Sequence, residues 1–276
     1  MTTPLVLAEE LSVSFSGASG DIPAVRQLSF EVGREKLGIV GESGSGKSTC
    51  ARALLGLLSP NATVSARRLE FDGISLLDLP QSRLSAIRGK RAAIIVQDPK
   101  FSLNPVLCVG AQIAEAYRLH HGLSQRDAKV EALSGLEQVQ LRDPERIYQL
   151  YPHQCSGGIG QRAMIAMALA GDPDLLIADE ATSALDKTVQ LEILKIIDSL
   201  AAKRNMGVIF VSHDLGLVGR FCDRVMVMYG GRAVDNLAAA ELATARHSYT
   251  RALLSAQPLV HAPRDRLPTL DRALLE

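Results

Sequence analysis

Gly41-Glu42-Ser43-Gly44-Ser45-Gly46-Lys47-Ser48-Thr49 satisfies the phosphate-binding loop pattern G-x-x-x-x-G-K-[ST] in full, and the reading of the chain turns on it. Leu37-Gly38-Ile39-Val40 before it reads as a short buried strand. Cys50 to Leu58 after it, with Ala53, Leu54, Leu57 and Leu58 on one face, predicts a helix. Glycines at 41, 44 and 46 let successive N–H groups turn inward into a concave nest for phosphate oxygens. Lys47 adds a full positive charge near the β- and γ-phosphates, and the Ser48 hydroxyl suits Mg²⁺, which takes a few protein oxygens beside phosphate and water. A glycine-rich turn capped by Ser48 would account for the glycines but not for a lysine and two hydroxyls at fixed offsets.

A chain of 276 residues has room for one large domain or two small ones. Basic and acidic residues balance at 30 each, so no global attraction to nucleic acid or an anionic membrane is expected. Cys50, Cys108, Cys155 and Cys222 are scattered without a C-x-x-C pair, which argues for free thiols over a metal cage or a disulfide framework. There is neither a basic-then-apolar leader nor an apolar run of bilayer length, so the sequence predicts a soluble, intracellular protein.

Leu5 to Phe15 alternates, with Leu11, Val13 and Phe15 on one face, and Gly17 to Asp21 is a polar turn. Val25 to Val32 returns as the second strand of an antiparallel hairpin. Leu69 to Phe71 is a further short strand, and Ala92 to Val96 another, ending in Gln97-Asp98-Pro99. From Phe101 to Ala170 the chain reads as helices. Ser124 caps one that carries Val130, Leu133, Leu136 and Val139 on one side, and Asp143-Pro144 starts another. Strands return at Leu175 to Ala178, Val208 to Val211 and Arg224 to Met228. The helix Val189 to Leu200 between the first two turns Ile193, Ile196 and Ile197 inward. Strand and helix alternation around a phosphate loop implies a mostly parallel sheet covered on both faces, with the helical block inserted. After Gly231 the chain is polar and Ala-rich and offers few signals.

Four more clusters carry chemistry. Leu175 to Glu180 is an apolar strand ending in two carboxylates, where a parallel sheet presents its ligand. Asp179 can hold Mg²⁺, and Glu180 can orient and deprotonate an attacking water. Ser156-Gly157-Gly158 opens a helix and suits an anion, although Ser156 taken alone is an ordinary N-cap. His213 follows a core strand and could reach a γ-phosphate. In Ser183-Ala184-Leu185-Asp186 the aspartate is a candidate N-cap.

In this order and spacing, these segments resemble the nucleotide-binding subunit of ATP-binding cassette (ABC) transporters, over about residues 5 to 255. The resemblance implies a single cassette over 1–276: a β subdomain and the first part of the P-loop core (1–100), a helical subdomain with the signature (101–170), the rest of the core (171–231) and a tail (232–276). It implies hydrolysis of MgATP by a head-to-tail dimer. Gly41 and Ser43 to Thr49 would hold phosphate, Phe15 would stack on adenine, and Ser156, Gly157 and Gly158 would face the partner's ATP. Ser48, Gln97 and Asp179 would serve Mg²⁺, with Glu180, His213 and Lys47 catalytic. Phe15 serves equally well as a third core residue of its stripe. Gln97-Asp98-Pro99 with Ser102-Leu103-Asn104-Pro105, the segments His213 to Val218 and Val227 to Arg232, and His247-Ser248-Tyr249-Thr250-Arg251-Ala252-Leu253-Leu254 look like the peptide and nickel importers. That subfamily implies a second, related ATPase subunit, two transmembrane permeases and, indirectly, a solute-binding protein, with this chain peripheral at the cytoplasmic face of the membrane. With no cysteine after Cys222, no iron–sulfur cluster is expected.

Cys155 stands where the signature usually has leucine or phenylalanine, Gly160 where a basic residue is usual, and Ala181 where proline follows the carboxylates. These departures would weaken one ATP site of a heterodimer modestly. His120, His121 and His153 lie in or beside the helical block, and an adjacent pair points to different faces of a helix, against metal ligation. The competing expectation is an accessory ATPase of a soluble enzyme complex. A DNA-repair or translation cassette is disfavoured by the single cassette, the lack of a coiled-coil insertion and the balanced charge.

Overall fold

The computed structural model describes residues 3–18, 20–98, 102–183 and 185–256. Pro99, Phe101, Ala184 and the tail beyond 256, all of which enter the expectations above, lie outside that range. In chain order the first elements are β1 (Val6–Gly17), β2 (Gly20–Val32), β3 (Lys36–Val40), α1 (Lys47–Ala53), β4 (Ala62–Ser65), β5 (Arg68–Phe71), β6 (Ile74–Ser75), α2 (Gln81–Ile87) and β7 (Ala92–Ile95). Helices α3 (Val109–His121), α4 (Gln125–Gln138), α5 (Pro144–Gln149) and α6 (Gly157–Ala168) follow, then β8 (Leu175–Asp179) and α7 (Lys187–Arg204). The chain continues as β9 (Gly207–Ser212), α8 (Leu215–Phe221), β10 (Arg224–Tyr229), β11 (Arg232–Ala238) and α9 (Ser248–Ser255). This is the α/β fold expected, with a helical block inserted between β7 and β8. Two compact units divide it, residues 1–78 with 209–276, and residues 79–208.

In the first unit β2, β1, β5 and β6 form an antiparallel sheet, with β4 also on β1. β1 and β2 pair from Val6 opposite Val32 to Gly17 opposite Gly20, interrupted by bulges. The bulges place Glu10 and Gln27 at positive φ, and serines opposite satisfy the displaced N–H groups: Glu10 donates to Ser29 Oγ at 2.9 Å and Gln27 to Ser12 Oγ at 3.0 Å. A second sheet runs β11, β10, β3, β9, with β3 parallel to β10 and β11 antiparallel to β10. Helix α8 lies close against β3, since a Cβ on Gly38 would meet Val218 at 2.0 Å.

In the second unit β7 and β8 pair in parallel, Ala92 opposite Leu175 through Ile95 opposite Ala178. Side chains cap its helices: Ser124 accepts the Asp127 N–H, Asp143 that of Arg146, Ser156 that of Ile159, and Asp186 those of Thr188 and Val189. Each such cap contributes about 1 kcal/mol.

Several expectations need correcting. The helix after the phosphate loop is Lys47–Ala53 rather than 50–58, because it begins inside the motif and Gly56, at positive φ, turns the chain away; Leu57 is left exposed. Val130 points outward, 60% exposed, because the small residues Ala128, Ala132 and Gly135 form the buried face of α4 beside Leu136. Phe15 is half-buried while Leu11 and Val13 are buried, so the core stripe of β1 ends at Val13. The segment after Gly231, which offered few signals, forms β11 and α9.

Candidate functional site

The first unit carries the phosphate loop. β3 is an apolar strand whose Leu37, Ile39 and Val40 are fully buried, and it delivers the chain at Gly41. Two glycines there are obligatory. A Cβ on Gly41 would stand 2.2 Å from the Met228 carbonyl oxygen, and one on Gly46, at φ 98° before α1, would stand 2.4 Å from that of Ala24. Lys47 is only 4% exposed and its Nζ donates to the carbonyls of Gly41 at 2.9 Å and Glu42 at 2.7 Å. An ammonium held this way sits within the concavity instead of reaching into solvent.

Ser45 is buried with its hydroxyl lacking any hydrogen-bond partner, an exception that calls for a ligand or water. Ser43 and Gly44 form the exposed rim, and Ser48 and Thr49 are half-buried in the first turn of α1. A cradle too tight for a Cβ, a buried hydroxyl without a partner and a buried lysine suit phosphate oxygens. The loop is braced from behind: Gly231 donates to the Ser45 carbonyl at 3.2 Å and accepts from the Arg26 N–H at 2.8 Å. Tyr249, which nothing in the sequence marked for this role, accepts the Glu42 N–H at 3.0 Å. His213 is exposed just beyond β9, on backbone fixed by Asp214, which caps α8 and donates its own N–H to Ser212 Oγ at 3.0 Å.

The second unit carries the carboxylates and the signature. Asp179 ends β8, buried to 2% exposure. Glu180 follows at φ 51°, half-buried, a backbone geometry that costs a non-glycine residue on the order of 1 kcal/mol and is found at functional sites. Its carbonyl accepts both the N–H and the Oγ of Ser183, at 3.1 and 3.0 Å, which closes the turn. The turn is tied on two sides. Gln161 of α6 donates to the Ala181 carbonyl at 2.5 Å, and Gln190 of α7 to Thr182 Oγ1 at 3.0 Å. Gln161 is fully buried and its Oε1 has no partner, and nothing in the sequence pointed to it either.

At the start of α6 the Ser156 hydroxyl caps its own helix, while Ser156 and Gly157 are exposed. A Cβ on Gly158 would press Val189 at 3.2 Å, so only a small residue fits. Gln97 and Asp98 line one cavity of about 210 Å³ together with Cys155, Ser156, Gly157 and Gln161. Burial pushes the Cys155 thiol up from its ordinary pKa. Burial, then Lys90 and His121, pulls His120 down, while the His121 ring meets the Ala170 carbonyl at 2.8 Å. Among the described residues no helix is long and apolar enough to cross a membrane.

Comparison with known proteins adds a family model, that of the ABC transporter, which matches residues 25–183. A protein named as a peptide import ATP-binding protein in Brucella abortus (strain 2308) is 46% identical over 277 aligned residues, covering 100% of this chain and 83% of its own. The glutathione import ATP-binding protein GsiA of Shigella dysenteriae is 46% identical over 94% of this chain, which spans only 43% of GsiA. Among solved structures, the dimeric post-hydrolysis state of the ATP-binding cassette MJ0796 bound to ADP and Pi superposes with a TM-score of 0.76 at 26% identity. It covers 85% of this chain and 98% of its own.

Proposed function

Since the chain belongs to the ABC transporter family and is an ATPase of the cassette type, we propose that it drives uptake of peptides or a related small solute as a subunit of a membrane importer. The observation that carries the transport half of this reading is the 46% identity, over the whole chain, to a protein named for peptide import. Glutathione, the solute in the name of GsiA, is itself a peptide. Nickel stays a candidate solute only through the sequence resemblance.

On this reading the backbone of residues 41–49 and the Lys47 ammonium hold the β- and γ-phosphates, and Phe15, half-exposed at the end of β1, takes the adenine. Ser48, Gln97 and Asp179 are the residues that would hold Mg²⁺, and the bound ion would supply positive charge against the phosphates. Glu180 orients the attacking water and takes its proton, while His213 contacts the γ-phosphate. Ser156, Gly157 and Gly158 serve the ATP of a second ATPase subunit in a head-to-tail dimer, and the exposure of Ser156 and Gly157 on this chain supports that role. On the subfamily resemblance the chain would pair with a related but different subunit, and Cys155 and Gly160 in its signature would leave that partner's site slightly weaker. Transmembrane permeases and a solute-binding protein complete the assembly, with this chain peripheral at the cytoplasmic face of the membrane.

The test is ATPase activity of the purified chain alone, then with its co-expressed neighbouring ATPase and permease subunits in lipid, with the binding protein and candidate peptides or nickel. Stimulation by the membrane subunits and a loaded binding protein is expected and names the solute. Full activity without them, or copurification with a soluble enzyme complex, overturns the importer reading.

A further inference from the structure

We propose that Tyr249 is a positioning residue for ATP: its phenol oxygen fixes the second residue of the phosphate loop and, through it, the place of Lys47. The proposal rests on the reading of residues 41–49 as the ATP site. Glu42 is gripped from both ends of its backbone. Its N–H donates to Tyr249 Oη at 3.0 Å, and its carbonyl accepts Lys47 Nζ at 2.7 Å. A shift of that residue therefore moves the anchor of the lysine that must meet the phosphates.

The phenol is itself firmly held. Tyr249 is fully buried, with its ring 4.5 Å from that of Tyr229, the last residue of β10. The next residue, Thr250, is also fully buried and bonds Asp235 of β11 through its hydroxyl. His247 Nδ1 accepts the Tyr249 N–H at 3.2 Å and caps α9. β10, which ends at the Tyr229 ring that Tyr249 packs on, runs parallel to β3, and β3 leads straight into Gly41.

The residue type makes chemical sense. Burial pushes the Tyr249 phenol above its usual pKa, so the acceptor is neutral at physiological pH. A carboxylate could accept the same N–H, but it would bring a negative charge behind a loop that must attract phosphate. In the sequence, His247-Ser248-Tyr249 stands out only as part of a resemblance to one group of importers. In the structure those three consecutive residues are cap, helix start and clamp.

The experiment compares wild type, Tyr249→Phe and Lys47→Ala as purified full-length chains. It measures equilibrium ATP affinity and amide hydrogen exchange at residue 42. Tyr249→Phe keeps the ring against Tyr229 and removes only the acceptor. It is expected to bind ATP about fivefold more weakly, the worth of one hydrogen bond, and to exchange the Glu42 amide faster, with a thermal midpoint near that of wild type. A purely structural role would lower the midpoint and the active fraction while leaving the affinity of the folded fraction unchanged. Wild-type affinity in Tyr249→Phe, or a Glu42 amide that exchanges in wild type as freely as an exposed one, overturns the proposal. The second criterion holds even if the variant does not fold. If Lys47→Ala also binds ATP normally, the reading of the loop itself fails, which separates the two failures.

Discussion

The phosphate loop of the first unit and the signature turn of the second are both small-residue segments leading into helices, yet they are built in opposite ways. Ser45, Gly46 and Lys47 are buried, a Cβ is excluded at two glycines, and the lysine is bonded inside its own loop. Ser156 and Gly157 are exposed, and the serine hydroxyl is spent on capping its own helix. The opposite construction separates their uses. A buried, close-packed concavity holds a ligand by itself, whereas an exposed helix start is a surface offered to something else.

The widest gap is expected from Glu180→Gln, which should slow hydrolysis about 10²-fold or more, about 2.7 kcal/mol in barrier, while ATP affinity stays close to wild type. Single-turnover hydrolysis beside equilibrium binding measures both; a variant that loses affinity to the same degree would make Glu180 part of the cradle.

The two segments can then be contrasted by one substitution made in each. Gly46→Ala places a Cβ 2.4 Å from a carbonyl oxygen at positive φ and should cost roughly 2 kcal/mol of stability. Gly157→Ala meets only an ordinary contact at 3.6 Å to Leu185 and should be neutral, or stabilising by up to about 0.5 kcal/mol. Denaturant melts of both variants decide it, and equal costs would erase the distinction drawn above.

Ser156→Ala removes a cap and should lose about 1 kcal/mol, visible in the same melts. Val130→Ser, on the outer face of α4, sets the floor at under about 0.5 kcal/mol; a larger loss would mean that this face is covered.

The legible parts of the candidate site are those where chemistry demands residue types at fixed offsets. Lys47 and Ser48 follow a glycine pattern, and Asp179 and Glu180 end an apolar strand, so each was placed without knowing any contact. Periodicity did less well. It set the helix after the loop three residues late, because the helix starts inside the glycine-lysine motif itself, at Lys47. It also set Val130 on one side with Leu133, Leu136 and Val139, because it weighs a valine above the alanines and glycine that close packing prefers. Short, half-exposed β4 and the seven-residue α2 have too little pattern to be read. Tyr249 and Gln161 could not be found at all, since their partners at Glu42 and Ala181 are fixed by tertiary packing.

The tie between Glu42 and Tyr249 joins positions 207 residues apart, and it orders events during synthesis. At about 5–20 residues per second, roughly 10–40 s separate the emergence of the loop from that of its clamp. A nascent chain thus carries its lysine and glycines long before the brace behind them exists. On the role proposed for Tyr249, a firm hold on nucleotide has to wait until residue 249 has followed the loop out, 207 residues later.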